Sequence, residues 1–279
     1  MPEAAARLGA RWSRRRAFIT GAGSGLGLAL ATELAKAGWT IGRFDREPQR
    51  LAETAPALRA AGGSVYDYLG DVTNEAAFAA AIDSFTGTNG GLDLMVNNAG
   101  VAAAGRIETT PAEDWRWILE INVVAVATGS RLALPHLKAA PNGGAVVNIA
   151  SAAGFAAPPL MGAYNASKAA VISLTETLAA ELGGTQVNAL AVMPTFFQTR
   201  LLDTARAGTK EMATARRWME TSNFTAEQCA KAILNAVDAG KFHLALPADS
   251  RWMWRLKRLL PAYFVGRLRK GGGRSTRRT

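Results

Sequence analysis

TGAGSGLG, residues 20–27, packs four glycines into eight residues directly after the apolar triplet Ala17-Phe18-Ile19. A glycine-rich turn is common. One that cradles a phosphate needs a strand before it, a helix after it and an acidic residue further on to hold a ribose. The spacing is G-x-x-x-G-x-G, on Gly21, Gly25 and Gly27, and not the G-x-G-x-x-G of many dinucleotide folds. The physics is shared. Glycines admit close approach of a pyrophosphate, and a helix beginning near Gly25 offers free N–H groups and the positive end of its dipole.

The surroundings of this loop supply what it needs. Short apolar runs at residues 17–19, 39–44, 64–69, 92–96, 145–149, 186–192 and 242–246 read as strands buried on both faces of a parallel sheet. Helix-like segments lie between them, such as the one from Leu26 to Ala37 with Gly38 as its C-cap. Alternating strands and helices with right-handed crossovers give an α/β fold, a Rossmann-like doubly wound parallel sheet of about seven strands in a single domain. Ligands of such sheets bind beyond the carboxyl ends of the strands. Asp45 ends the second run, 24 residues after Gly21, where a carboxylate accepts both hydroxyls of a ribose. Asp71 and Val72 follow the third, placed to flank an adenine, and Asn97-Asn98-Ala99-Gly100 follow the fourth. Each is individually an ordinary turn sequence. Four on successive strand ends are not expected of turns alone.

The bulk numbers exclude other classes. Of 279 residues 49% are hydrophobic, and the single Cys229 rules out an intramolecular disulfide framework. No uninterrupted apolar run reaches the length of a bilayer span, and no apolar stretch of signal-peptide kind precedes the glycine loop, so a cytoplasmic protein is expected. The net charge of +10 suggests nucleic acid until it is mapped. Ten Lys and Arg and no acidic residue lie from Arg251 onward, and five Arg against one Glu lie in the first sixteen residues. The body between is slightly acidic, so nucleic-acid binding is not expected and any anionic partner belongs to the termini. The chain thus divides into a basic N-terminal extension (1–16), a nucleotide-binding catalytic domain (17–249) and a basic C-terminal helical tail (250–279). His136 and His243 are isolated, and no metal site is expected.

The chemistry points to Ser151, Tyr164 and Lys168 in SAAGFAAPPLMGAYNASKAA. Ser151 follows the fifth strand. Tyr164 and Lys168, four apart on a helix, share one face. An ammonium beside a phenol favours the phenolate, and a tyrosine so tuned exchanges a proton with an alcohol or carbonyl oxygen near neutral pH. The plainer reading of Tyr-x-x-x-Lys alone is a helix-surface pair.

Taken together, the TGxxxGxG loop, the NNAG stretch, Ser151 and Y-x-x-x-K thirteen residues later resemble the short-chain dehydrogenases/reductases over residues 17–247. The resemblance implies an oxidoreductase that moves a hydride between a nicotinamide and a substrate carbon, with Tyr164 as acid/base, Ser151 polarising the substrate oxygen, and Lys168 lowering the tyrosine pKa and holding the nicotinamide ribose. It assigns Asn122 to a water that links the lysine to solvent. It makes Gly21, Ser24, Leu26, Asp45, Asp71, Val72 and Asn98 the phosphate and adenosine contacts, and it brings Phe197 and Thr199 to the carboxamide. It also implies a homodimer or homotetramer. One departure is Thr195, where the family carries glycine after proline.

Asp45 favours NAD, because its carboxylate repels a 2′-phosphate. Ser24 offers no phosphate clamp, whereas Arg46 could stack on adenine or accept NADP. The segment 195–224 is expected to form a substrate lid whose Phe196, Leu201, Met212 and Trp218 suggest a lipophilic or aromatic alcohol, aldehyde or ketone. The alternatives are epimerisation or dehydration with bound NAD, and a non-catalytic, membrane-associated cofactor-binding protein. In the tail, Trp252, Met253, Leu256, Leu259 and Leu260 form one stripe and Arg251, Arg255 and Arg258 another. That helix suits a peripheral membrane contact through residues 250–270, a partner subunit, or its own domain.

Overall fold

The computed structural model describes residues 4–195, 205–207, 222 and 224–275. In chain order the elements are α1 (Ala4–Arg11), β1 (Arg16–Thr20), α2 (Gly25–Lys36), β2 (Thr40–Asp45), α3 (Pro48–Ala60), β3 (Ser64–Leu69), α4 (Glu75–Asn89), β4 (Leu94–Asn97), β5 (Ala103–Ala104) and α5 (Ala112–Leu119). A π-helical turn (Glu120–Val124) leads into α6 (Ala125–Ala139). There follow β6 (Gly144–Ile149), α7 (Ala153–Ala156), α8 (Gly162–Glu181), β7 (Val187–Pro194), β8 (Arg206–Ala207), α9 (Ala226–Asp238), β9 (His243–Leu246), α10 (Ser250–Leu259) and α11 (Pro261–Ser275).

Seven strands form one parallel sheet in the order β3-β2-β1-β4-β6-β7-β9. Residues of one strand alternate between its two faces. On β1, Ala17 and Ile19 join a core with Leu30, Leu34, Trp39 and Ile41, while Phe18 enters the opposite core with Phe44, Phe78 and Phe85. Helices cover both faces, and each fully buried aromatic or leucine side chain stabilises this arrangement by about 1.5–3 kcal/mol. β3 departs from the buried-strand expectation. It is the sheet edge, half exposed along SVYDYL, and its Asp67 accepts from the Arg43 guanidinium at 2.7 Å. The chain runs outward from β1 through β2 to β3, then returns to β4 on the other side of β1. The strand order therefore reverses between β1 and β4, and the crevice lies there.

Residues 4–12 fold onto the domain. Leu8 and Trp12 are buried in the α2 core, and the Trp12 ring meets Trp39 edge-on at 6.3 Å. The arginines are partnered too: Arg7 of this segment pairs with Asp238 at 2.6 Å, and Arg16 at the start of β1 pairs with Asp93 at 2.8 Å with both side chains buried.

The π turn joins α5 to α6 as one helical run of 28 residues, Ala112–Ala139, long and apolar enough to cross a membrane by length and composition. Here it lies against the fold, burying Ile118, Ile121, Val126, Ala133 and Leu137 in the cores.

Candidate active site

A cleft of about 490 Å³ runs along the carboxyl ends of the strands, from Asp45 and Arg46 at one end to Met161 and Phe264 at the other. The glycine loop forms its floor. Gly21 and Gly25 hold φ of +64° and +53°, a region costly for side chains, and α2 begins at Gly25. Ser24 occupies the N-cap position, but its hydroxyl makes no capping hydrogen bond. First-turn N–H groups without a side-chain cap suit an anion. Gly27 lies behind the cleft wall: a Cβ there would sit 2.2 Å from the Gly21 carbonyl oxygen. Its part is to let the helix close on the loop.

Asn98 lines the cleft, yet its side-chain amide donates to the carbonyls of Thr20 (3.0 Å) and Gly21 (3.1 Å). Thr20 Oγ1 in turn accepts the N–H groups of Asn98 and Ala99 at 3.0 Å. These bonds clamp the β4 loop to the glycine loop across the switch point. Thr20 was not singled out in the sequence because its role depends on β4 being its neighbour.

At the far side of the loop, Asp45 closes β2 with Oδ2 accepting from Gly23 N–H (2.8 Å) and Oδ1 from Glu47 N–H (3.1 Å). Each carboxylate oxygen retains a lone pair for a further donor. Arg46 lines the same end, beside Glu47 at 3.6 Å. Asp71 accepts from the N–H and hydroxyl of Thr73, and Val72 lines the wall beside it.

Ser151, Tyr164 and Lys168 come together at the centre of the cleft, where all three are almost fully buried. Ser151 Oγ accepts the Ala153 N–H at 3.1 Å and is hydrogen-bonded to Tyr164. Lys168 Nζ donates to the Ile149 carbonyl at 2.8 Å and lies 5.8 Å from the centre of the Tyr164 ring. Gly154 makes this convergence possible, since a Cβ there would press to 2.7 Å on the Lys168 backbone. Lysine does not dominate the phenol as the sequence reading expected. Burial pushes Tyr164 up to about 12, against the opposite pull of its hydrogen bond with Ser151. Burial also brings Lys168 down to about 8. Removing the phenolate from water costs more than its neighbours return, so the phenol is neutral in this structure.

Asn122 sits in the π turn and is fully buried, off the cleft surface. Its amide exchanges two hydrogen bonds of 2.9 Å with the Val101 backbone and donates to Ser167 Oγ at 3.1 Å. The side chain is occupied in tying the π turn and α8 to the β4 loop. Phe197, Thr199 and most of segment 195–224, including Phe196, Leu201, Met212 and Trp218, lie outside the described residues. Of that segment, Thr195 lines the cleft and Arg206–Ala207 pairs with Ala103–Ala104. Arg206 there meets Asp114 at 2.7 Å and stacks 4.2 Å over Trp117.

Met253, Phe264 and Leu268 of the C-terminal helices also wall the cleft. Sequence reasoning missed them because helical periodicity defines a stripe without saying what it covers.

Residues 15–210 match the short chain dehydrogenase family. A probable oxidoreductase, EphD, of Mycobacterium tuberculosis is 31% identical over 252 residues, 87% of this chain. The chain spans only 43% of that relative's length. The 2-(R)-hydroxypropyl-CoM dehydrogenase of Xanthobacter autotrophicus is 36% identical over 189 residues, covering 66% of this chain and 75% of the relative. Among solved structures, a short-chain dehydrogenase/reductase from Burkholderia phymatum in complex with NAD superposes with a TM-score of 0.82 at 34% identity, covering 88% of this chain and 92% of that one.

Proposed function

Since the chain belongs to the short-chain dehydrogenase family, we propose that it interconverts a lipophilic alcohol and the corresponding carbonyl compound with NAD. The observation that carries the reading is that Ser151, Tyr164 and Lys168 line the same cleft as Gly21 and Asp45. The cofactor fits this chain's residues. Gly21, Ser24, Gly25 and Leu26 line the cleft, and a side chain at Gly21 would press on the β4 loop, with a Cβ 3.0 Å from Ala99 and Asn98. Gly21, Ser24, Gly25 and Leu26 would hold the pyrophosphate, Asp45 the adenosine ribose, Asp71 and Val72 the adenine, and Lys168 the second ribose. When bound, the nicotinamide supplies the redox chemistry.

The chain's own part is proton transfer and orientation. Tyr164, neutral as it stands, donates its phenolic proton to a carbonyl oxygen in reduction and recovers one from the hydroxyl in oxidation. Ser151 donates a hydrogen bond to that same oxygen and fixes which face of the substrate carbon is presented. The Lys168 ammonium stabilises the phenolate while the proton is away. NAD is favoured because Asp45 and Glu47 set two carboxylates at the ribose end, and Arg46 is drawn toward Glu47. Ala156, Pro158, Met161, Met253, Phe264 and Leu268 make the opposite end apolar, without a cation among these residues to hold an acidic substrate. The dehydrogenase of a hydroxypropyl compound among the relatives supports a hydroxyl-bearing substrate.

The test is turnover of a panel of alcohols and carbonyls with NAD and NADP, by the wild-type protein and by Tyr164→Phe. The variant should lose about 10²–10⁴-fold in kcat while still binding NADH by fluorescence. Undiminished turnover in Tyr164→Phe would overturn the mechanism.

A further inference from the structure

The C-terminal helices α10 and α11 are two-faced. Ser250, Met253, Trp254 and Phe264 turn toward the domain, where Trp254 packs 6.4 Å from Phe155 and edge-on to His243 at 4.8 Å. The opposite face holds the rest of the apolar stripe, without Met253. Trp252 and Leu259 are 71% and 79% exposed, and Leu260 and Tyr263 are more than half exposed. A surface of large apolar side chains on this scale marks a contact site. Along the chain the charge has one sign: ten Lys and Arg and no acidic residue lie from Arg251 to the end. The Arg255 guanidinium lies 5.5 Å over the exposed Trp252 ring, so cation and indole are presented side by side.

We propose that this face docks on an anionic lipid bilayer, with Trp252, Leu259, Leu260 and Tyr263 entering the interface and the arginines contacting lipid phosphates. The pairing of exposed aromatic and aliphatic groups with a strongly cationic stretch of sequence is what an interfacial helix requires. A nucleic acid would use the cations but leave the leucines in water. A second copy meeting this face with its own would bring like charges together. Because Met253, Phe264 and Leu268 of the same helices wall the cleft, docking places one wall of the cleft at the lipid surface. Delivery of a lipophilic substrate by that route rests on the function proposed above. The docking itself does not.

The experiment is co-sedimentation of the full chain with phosphatidylcholine vesicles, with and without phosphatidylglycerol. Binding should be at least about tenfold tighter with phosphatidylglycerol and should weaken as salt is raised. Trp252→Ser combined with Leu259→Ser should lose about tenfold or more while keeping the wild-type melting temperature, since both side chains already face solvent. Met253→Ala, altered on the inner face, should still bind. The proposal is overturned if the wild-type chain ignores anionic vesicles, or if the double variant binds them as well as wild type, which would mean adsorption by charge alone. It is equally overturned if the double variant's effect in ultracentrifugation is to dissociate an oligomer with vesicle binding unchanged. Vesicle binding is read without turnover, so its failure and a failure of the enzymatic reading are separate results.

Discussion

Replacing Lys168 with methionine should make the protein slightly more stable at neutral pH while abolishing its activity. The lysine is 4% exposed, and burial lowers its pKa from 10.5 to about 8. That displacement corresponds to about 3 kcal/mol against the ammonium in the folded chain. The hydrogen bond to the Ile149 carbonyl offsets part of it, since a bond from a charged donor contributes about 1.5–3 kcal/mol. Methionine has similar length, no charge and a flexible chain that fills the same slot. The balance favours the variant by about 1 kcal/mol, or roughly 2–4 °C in Tm for a chain of this size. The pH dependence has a definite sign. Between pH 8 and 10.5 the unfolded wild-type chain holds a proton that the folded one has released, so wild-type stability rises through that window. The variant lacks this group, and its advantage should shrink and disappear by about pH 10. Tyr164 titrates above this range in both proteins, so it cancels in the difference. The assay is thermal unfolding of both proteins from neutral to alkaline pH, beside turnover, which should fall by at least about a hundredfold. A variant that melts several degrees lower at pH 7, or a difference that does not change with pH, would refute the argument that burial dominates this site.

Two further outcomes follow from the geometry at the other end of the cleft. Gly27→Ala places a methyl group 2.2 Å from the Gly21 carbonyl oxygen, so the loop must shift; NAD affinity should fall more than about tenfold, with about 1–3 kcal/mol of overpacking visible in urea titration. Asp45→Asn should weaken NAD binding by roughly 10–100-fold, the worth of a charge-assisted hydrogen bond, and narrow the gap to NADP. Calorimetric titration with both nucleotides reads it, and an unchanged NAD affinity would remove Asp45 from the ribose site.

Much of the site was legible because strand ends in a doubly wound sheet all face one edge. Once residues 17–19, 39–44 and 92–96 were read as strands, Gly21, Asp45 and Asn98 had to meet, whatever the details of packing. Ser151 and Tyr164–Lys168 were legible for a related reason: one lies at a strand end and the other two share a helical face. Several things were not legible. Residues 1–16 look like a charged appendage, yet Leu8 and Trp12 are core residues, because their partners Trp39 and α9 are distant in sequence. Asn98 sits where a ligand-facing amide is expected and Asn122 was named only through the family resemblance, but their hydrogen bonds go to Gly21, Val101 and Ser167, and only the fold brings those groups within reach.

Local pattern determined the succession of strands and helices and the glycine turn, and with the family resemblance it named Ser151, Tyr164 and Lys168 as candidates. Periodicity and turn chemistry act between near neighbours and are therefore written along the chain. Tertiary structure decided what those groups experience. It buries Tyr164 and Lys168 together, where desolvation outweighs their mutual influence. It turns Trp252 and Leu259 outward and Met253 and Phe264 onto the cleft, a choice the same helical stripe leaves open. Burial and facing are properties of what lies across a contact, and no stretch of sequence contains its own neighbours in space.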